Sequence, residues 1–308
     1  MSVIANSARF NKLSLTWQAA SLGLRDVEFR GVNDVPWELS EFVLYKRGGL
    51  GPEPVVGEFR GAEAAIEERD GWFSRAFVER RSWPLPDGTT AVLYARRRQA
   101  APPLRGRSFS GPLRVSSLLE IPAAELALGP WNAKRGVYER VSAAAPLVRL
   151  KGLAVAGVRA ELRDAVLVAD AGGARLVSVG GVSIRAASVD AAALSAFLTR
   201  GPLRARSVAL DGTARVAVSA KGLPFSAEAA LVSGPGRPCA AELRAVRAAG
   251  VPIAPGAFLR WGANGPLFEL STSPGRTTVR TVFGLSRSVP FEIELPGCSA
   301  RGGRLSIP

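Results

Sequence analysis

From residue 109 onward the chain is made of short runs in which apolar and polar residues alternate, and glycine separates most of these runs. An alternation with a period of two is typical of a strand with one buried face, because successive side chains point to opposite sides of a sheet. This pattern predicts a long, curved, mostly antiparallel sheet packed on a few short helices. The predicted strands are Leu147–Val155, Val158–Val168, Arg175–Val179, Val182–Ala186, Arg206–Leu210, Thr213–Ser219, Phe225–Val232, Cys239–Val246, Leu267–Thr272, Thr277–Phe283 and Phe291–Leu295.

Two helical segments interrupt this pattern, at Asp190–Arg200 and at Pro255–Gly262. Ser188 or Asp190 precedes the first segment and is of a residue type that caps helix N-termini. Core packing is the ordinary explanation of the large apolar residues on the two helices. The functional alternative is a hydrophobic groove for acyl chains, rimmed by arginines of adjacent strands. The candidate ligand-binding residues are Leu194, Phe197, Leu198, Phe258, Leu259 and Trp261.

The first hundred residues mix helical and strand patterns, which predicts an α+β protein with a small α/β domain at residues 1–98. Residues 99–108 are basic, contain prolines and have no apolar period, so we predict a linker there, followed by a larger β domain at residues 109–308. The predicted N-terminal elements are an amphipathic helix at Arg9–Leu24 that ends at Gly23, strands at Val27–Val32 and Glu41–Lys46, a helix at Gly61–Asp70, and a hairpin that turns at Pro86, Asp87 and Gly88.

The charge of the chain is strongly positive, with 40 Lys+Arg against 26 Asp+Glu and a formal net charge of +14. Residues 1–106 carry 15 basic and 13 acidic residues, so the surplus belongs almost entirely to the second part. Solvated strand faces explain scattered arginines most simply. An anionic lipid or glycan-phosphate surface is the specific alternative. A nucleic-acid binder is not expected, because the basic strands lack interleaved aromatic residues.

The sequence lacks the histidines, metal-ligand clusters and nucleophile motifs that would build an active site. Histidine is absent, and the two cysteines, Cys239 and Cys298, have no metal-ligand spacing. Nucleophile-elbow and phosphate-loop motifs are also missing, so we expect no enzyme activity of the chain alone and no cofactor or metal. Whether the two cysteines form a disulfide is left open.

Five carboxylates lie in patterns that could serve glycan cleavage or calcium binding. Glu292 and Glu294 share one strand face, as a glycan-cleaving pair would, but a solvent-facing strand edge explains them better. Asp164, Asp170 and Asp211 are interpreted as turn residues, because no calcium-loop pattern surrounds them.

The N-terminus shows neither a continuous apolar segment nor a small-residue cleavage site, so no secretory signal is predicted. The longest apolar stretch, from Ala143 to Val158, is interrupted by Arg149 and Lys151 and is shorter than the roughly 20 residues of a membrane span. No transmembrane segment is therefore predicted.

Residues 110–308 resemble the LmeA-like phospholipid-binding family of bacterial envelope proteins. The resemblance is carried by the strand-then-helix order of residues 182–198, and by the run of residues 250–260, where prolines mark the entry to a second helix. It implies a β-rich fold that binds lipid on the outer side of a cytoplasmic membrane, with no catalytic residues.

Residues 8–98 resemble the soluble tail of ArnT-like, dolichyl-phosphate-mannose-type membrane glycosyltransferases. The matching pieces are Phe10 with Asn11, Gly23 with Leu24, the run 42–46, Gly51 with Pro52, and the run 85–94 followed by arginines. The acidic catalytic residues of that family lie in a loop that this chain does not contain, so the resemblance implies no activity.

These observations together favour a non-catalytic protein of the bacterial envelope that binds phospholipid at the periplasmic or extracytoplasmic face. The expected partner is an anionic phospholipid or a lipid-linked glycan. The alternative is the detached extracytoplasmic portion of a lipid-dependent glycosyltransferase, which would act with a membrane partner.

Overall fold

The computed structural model is mostly β, with large sheets and few helices, in agreement with the predicted α+β class. The structure describes residues 1–7, 10–32, 36–52, 56–57, 59–116, 119–150, 152–199, 203–220, 222–234, 237–253, 269–273, 276–280, 292–294 and 297–307.

The N-terminal sheet has five strands in the order β2-β1-β3-β5-β4, with β1 parallel to both of its neighbours and the other pairs antiparallel. Its strands are β1 (Ser2–Ile4), β2 (Arg30–Gly31), β3 (Phe42–Arg47), β4 (Phe77–Pro84) and β5 (Thr90–Arg96). Its helices are α1 (Lys12–Ser21), a short 3-10 helix (Trp37–Leu39), α2 (Arg60–Glu67) and α3 (Trp72–Ala76).

The second sheet contains a ring of five strands that closes on itself. Consecutive strands pair as an antiparallel meander, and the first strand, β6, then pairs in parallel with the last, β11. We call this ring the closed sheet. Its strands are β6 (Ser108–Ser116), β7 (Leu119–Leu128), β9 (Val137–Leu150), β10 (Leu153–Asp170) and β11 (Gly173–Ser178), and the short β8 (Trp131–Asn132) pairs with β9.

Side chains from all five strands fill the interior of the closed sheet. Leu113, Leu126, Val141, Leu167 and Leu176 represent the five strands in this one buried cluster. Since apolar side chains pack the inside, the ring is a hydrophobic core rather than a ligand cavity.

Further strands extend the second sheet beyond the ring. β12 (Gly181–Asp190) pairs with β10 and carries β20 (Glu292–Glu294) and β22 (Arg304–Ile307), and β22 forms a hairpin with β21 (Ser299–Arg301). The helix α4 (Ala191–Leu198) follows β12 and leads towards the third sheet.

The third sheet is antiparallel, with the order β13-β14-β15-β16-β19-β18, and β17 is added beside β16. Its strands are β13 (Leu203–Asp211), β14 (Thr213–Ala220), β15 (Leu223–Gly234), β16 (Arg237–Ala248), β17 (Val251–Pro252), β18 (Glu269–Ser273) and β19 (Arg276–Arg280).

Gly303, in the turn between β21 and β22, connects the second and third sheets. Its amide donates to the carbonyl of Leu210 at 3.0 Å, and its carbonyl accepts from the amide of Ala191 at 2.9 Å. The amide of Gly212 also donates to the carbonyl of Ala300 at 2.8 Å. These bonds fix the first hairpin of the third sheet and the start of α4 to the same turn.

The N-terminal sheet and the closed sheet share a hydrophobic cluster. Val166, Val168 and Val177 point outward from β10 and β11 and pack among the N-terminal aromatic residues, which include Trp72 and Phe73. Within residues 99–108, Leu104 is buried in the core of the closed sheet, and its carbonyl accepts a hydrogen bond from Tyr138. The segment that the sequence assigns to a linker therefore contributes a core residue.

Several predicted elements are confirmed. The helix at Asp190–Arg200 is present as α4, and the Asp190 side chain caps it by accepting from the amide of Ala193 at 2.6 Å. Helices α1 and α2 and the hairpin that turns at Gly88 also lie where the sequence predicts them. The predicted helix at Pro255–Gly262 lies outside the described residues.

Other predictions are wrong in detail. The apolar run Leu147–Val155 is not one strand, because the chain reverses at Gly152, which has φ +83°, and divides it between β9 and β10. Asp164 is not a turn residue. It lies inside β10 with φ +53°, and this irregular residue changes the alternation, so that Leu162 and Ala165 both face the interior. The predicted strand Val27–Val32 is reduced to Arg30–Gly31.

Candidate functional site

In the part of the third sheet whose side chains are described, one face is apolar and the other is polar. The pairing register places Val208, Val216 and Ala227 side by side on one face, with Leu210, Val218 and Phe225 on the same face. The last three are buried, whereas Val208, Val216 and Ala227 are only half-buried. The apolar face is therefore partly accessible in the described part of the sheet.

At one end of this face the apolar residues become exposed. Ala248 pairs with Phe225 on one side and with Val251 on the other, so these three residues lie in one row across β15, β16 and β17. Leu223 precedes Phe225 by two residues and therefore lies on the same face. Leu223 is 52% exposed and Val251 is 62% exposed. We call Leu223, Phe225, Ala248 and Val251 the apolar mouth.

The opposite face at the same strand ends carries arginines. Arg204 pairs with Ser219 in the row that contains Pro224, and Arg247 pairs with Ser226 two rows further along β15. Both arginines are exposed, and the guanidinium of Arg204 donates to the carbonyl of Thr199 at 3.0 Å. The guanidinium groups of Arg204 and Arg247 therefore place positive charge within two residue rows of the apolar mouth, on the opposite face of the sheet.

Helix α4 supplies the predicted site residues that the structure describes. Leu194 and Phe197 are half-buried and pack against a cluster on β9, β10 and β12 that includes Val148, Val155 and Val189. Leu198 is also half-buried, and no residue of this almost wholly apolar helix is fully buried. The helix contacts β10, β12 and β13, so it lies where the second sheet meets the start of the third.

The structure therefore brings three of the six predicted residues, Leu194, Phe197 and Leu198, onto one helix. Phe258, Leu259 and Trp261 lie outside the described residues. The sequence reasoning missed Leu223 and Val251, although each directly adjoins a glycine-containing turn that would have indicated a strand end.

Of the carboxylates Asp164, Asp211, Glu292 and Glu294, the structure gives a side-chain partner to Asp164. Asp164 forms a two-point ion pair with Arg135, with both nitrogen–oxygen distances at 2.8 Å. Asp211 adjoins the turn at Gly212, which has φ +66°, as predicted. The strand that contains Glu292 and Glu294 is paired with Gly181–Ser183 of β12, and the side chains of these glutamates are outside the described set.

Asp170 lies in a buried network at the end of β10. Its carboxylate accepts from the guanidinium of Arg175 at 2.9 Å, from that of Arg114 at 3.2 Å and from the amide of Ala171 at 2.7 Å. Burial acts to raise the pKa of Asp170, but the amide and the two guanidinium groups outweigh it, so the pKa lies below its usual value. These ion pairs and hydrogen bonds stabilise the junction between β10 and β11.

Tyr45 is a buried titratable group that lies beside two glutamates. Its hydroxyl donates to Glu67 at 2.8 Å, and a carboxylate oxygen of Glu63 lies 3.3 Å from the same hydroxyl. Burial, together with the hydrogen bond to Glu67, raises the pKa of the Tyr45 phenol far above its usual value. The phenol therefore stays protonated, and its hydrogen bond to Glu67 links β3 to α2.

Cys298 is buried beside Ile307 and is disulfide-bonded. The chain holds one other cysteine, Cys239. No helix among the described residues has the length and apolar character needed to cross a membrane. In that same part of the chain, no three His, Cys, Asp or Glu side chains gather as a metal site would require.

Comparison of the chain with protein-family models, curated proteins and solved structures finds no match.

Proposed function

We propose that this chain is a non-catalytic lipid-binding module of the bacterial envelope. The observation that carries the proposal is the apolar mouth, where Leu223 and Val251 stand exposed at the end of an apolar sheet face and the exposed Arg204 and Arg247 occupy the opposite face of the same strand ends. An apolar surface at strand ends that carry positive charge on their other face suits an acyl chain with an anionic headgroup.

The half-buried face of the third sheet supports the same function. A buried core leaves no room for a ligand, whereas Val208, Val216 and Ala227 keep part of their surface accessible next to the mouth. Helix α4, with Leu194, Phe197 and Leu198 half-buried, extends the apolar surface towards the second sheet. The acyl chain would lie along this surface.

The disulfide at Cys298 supports an extracytoplasmic location, because disulfides persist in oxidising compartments and are rare in the cytosol. The net charge of the chain supports an anionic ligand rather than a neutral one.

The test measures binding of a fluorescent short-chain phosphatidylglycerol, kept below its micelle-forming concentration, to the full chain. Leu223→Glu and Val251→Glu should each weaken binding at least about tenfold, because a carboxylate then occupies the entry for an acyl chain. Both side chains are more than half exposed, so thermal stability should remain unchanged.

Two further experiments identify the class of lipid that binds, and one additional variant serves as the control. The double variant Arg204→Gln with Arg247→Gln should bind a neutral phosphatidylcholine probe as before but lose the preference for phosphatidylglycerol. Competition by a polyprenyl phosphate distinguishes a lipid-linked glycan carrier from a phospholipid. Trp83→Ala, at an exposed tryptophan on the N-terminal domain, is the control. Equal binding by the wild type and the mouth variants, or no binding by any of them, would refute the proposal.

A further inference from the structure

Exposed large apolar residues are concentrated in one short segment at the N-terminal sheet. Among the described residues, eight large hydrophobic side chains are exposed, and five of them lie between residues 13 and 27. These five are Leu13 at 72%, Trp17 at 73%, Leu22 at 75%, Leu24 at 53% and Val27 at 36%. Scattered single exposures are ordinary, but a cluster of this kind marks an interaction surface.

Hydrogen bonds fix the backbone at both ends of α1. The Asn11 side chain accepts from the amide of Ser14 at 2.9 Å and donates to the carbonyl of Ser7 at 2.9 Å, which fixes the start of α1. At the other end the chain turns at Gly23, with φ +74°, and the amide of Leu24 donates to the carbonyl of Ala19 at 2.9 Å. Leu13 and Trp17, one helical turn apart, therefore project together from a well-formed helix.

The charges of this segment and of the whole chain indicate which partner this surface binds. The segment from Lys12 to Val27 contains two basic residues, Lys12 and Arg25, and one acidic residue, Asp26. Two copies of a chain that carries +14 repel each other, whereas an anionic bilayer attracts each copy. Tryptophan is also suited to the boundary between headgroups and acyl chains, because its ring is apolar and its N–H is polar.

We infer that α1 and the turn that follows it form a docking surface for an anionic membrane, with Leu13, Trp17 and Leu22 entering the interfacial layer. The helix lies in the plane of the interface and does not span the bilayer. This surface lies on the N-terminal domain and is separate from the apolar mouth of the third sheet. The inference does not rest on the proposed lipid-binding site, and either can fail alone.

The test is co-sedimentation of the full chain with vesicles of equal parts phosphatidylglycerol and phosphatidylcholine, and with vesicles of phosphatidylcholine alone. The wild type should bind the anionic vesicles, and Leu13→Ala with Trp17→Ala should weaken this binding by about tenfold or more, because two large apolar contacts are lost. Trp17→Phe should retain most of the binding.

The matched control is Trp83→Ala, since Trp83 is a partly exposed tryptophan on β4 of the same domain. This variant should bind vesicles like the wild type. The α1 variants should keep the wild-type affinity for the soluble fluorescent lipid, while the mouth variants should keep vesicle binding. Unchanged vesicle binding in the α1 double variant, no anionic binding by the wild type, or Trp17-dependent dimers in sedimentation velocity would overturn the inference.

Discussion

The guanidinium of Arg175 lies over the indole ring of Trp72, with Cζ 4.3 Å from the ring centroid. Arg175 belongs to β11 of the closed sheet, whereas Trp72 begins α3 of the N-terminal domain. The same guanidinium donates to Asp170, so its charge is balanced at the point where the two parts of the chain share their hydrophobic cluster. One arginine therefore joins the two parts both electrostatically and by packing.

Asp170→Asn should lower the free energy of unfolding by about 3 kcal/mol near neutral pH, because Arg175 is then left without its anionic partner in a mostly buried place. The pKa of Asp170 is depressed, so its stabilisation is complete above the unfolded pKa of about 4 and is lost as the pH falls through the lower folded value. The wild type and the variant should thus differ by a constant amount from pH 5 to 8. Denaturant unfolding at several pH values measures this difference, and a difference that persists undiminished well below pH 3 would contradict it.

Trypsin should cut the native chain first at the exposed Arg98, Arg105 or Arg107, since this segment has no regular structure. The two fragments should nevertheless elute together in size-exclusion chromatography, because Val166, Val168 and Val177 lie in the N-terminal aromatic cluster and Leu104 lies in the core of the closed sheet. Separation of the nicked fragments under native conditions would show that the shared cluster does not hold them.

Gly173→Ala should destabilise the closed sheet by about 1–3 kcal/mol, because a Cβ at this position would lie 2.4 Å from the carbonyl oxygen of Pro112. Gly61→Ala is the matched control. Gly61 lies in α2 with no atom within 4 Å of an added Cβ, so alanine should be neutral or slightly stabilising there. Thermal unfolding of both variants makes the comparison, and equal melting temperatures would argue against a tight seam at Gly173.

Cys298→Ser should lower stability by about 2–4 kcal/mol under oxidising conditions, because the disulfide restricts the unfolded chain. Under a strong reductant the wild type should fall to the stability of the variant. Peptide mapping without reduction should recover the Cys298 peptide linked to the peptide of Cys239, the only other cysteine. Recovery of both peptides as free thiols would contradict the prediction.

The elements that the sequence predicts well are those with a strong local signal. Asp190 before an alanine-rich run gives α4, and the turn at Gly88 gives the N-terminal hairpin. Strand β1 could not be found this way, because Ser2–Ile4 is three residues long and is defined by its parallel neighbours. Strand β6 contains Gly111 and Pro112, which read locally as a break rather than as a strand.

The candidate sites were predictable only in part, for a physical reason. The apolar period of α1 indicates a helix but not whether another element covers its apolar side, and here Leu13 and Trp17 remain exposed. The apolar mouth depends on the pairing of β15, β16 and β17, which sets Leu223 and Val251 at one end of the sheet. Such relationships arise from contacts between distant segments, and no local pattern contains them.

The parallel seam of the closed sheet has a consequence for the order of folding. Every other pairing in the ring joins neighbouring strands, whereas Leu113 must find Ala174 across three intervening strands. Local hairpins form quickly and distant pairings form slowly, since the chain loses more entropy in closing a long loop. Until the seam forms, β6 and β11 each present an unpaired edge to the solvent, and such edges bind other chains. The seam is therefore expected to be the slow step of ring formation, during which the two open edges are prone to aggregation.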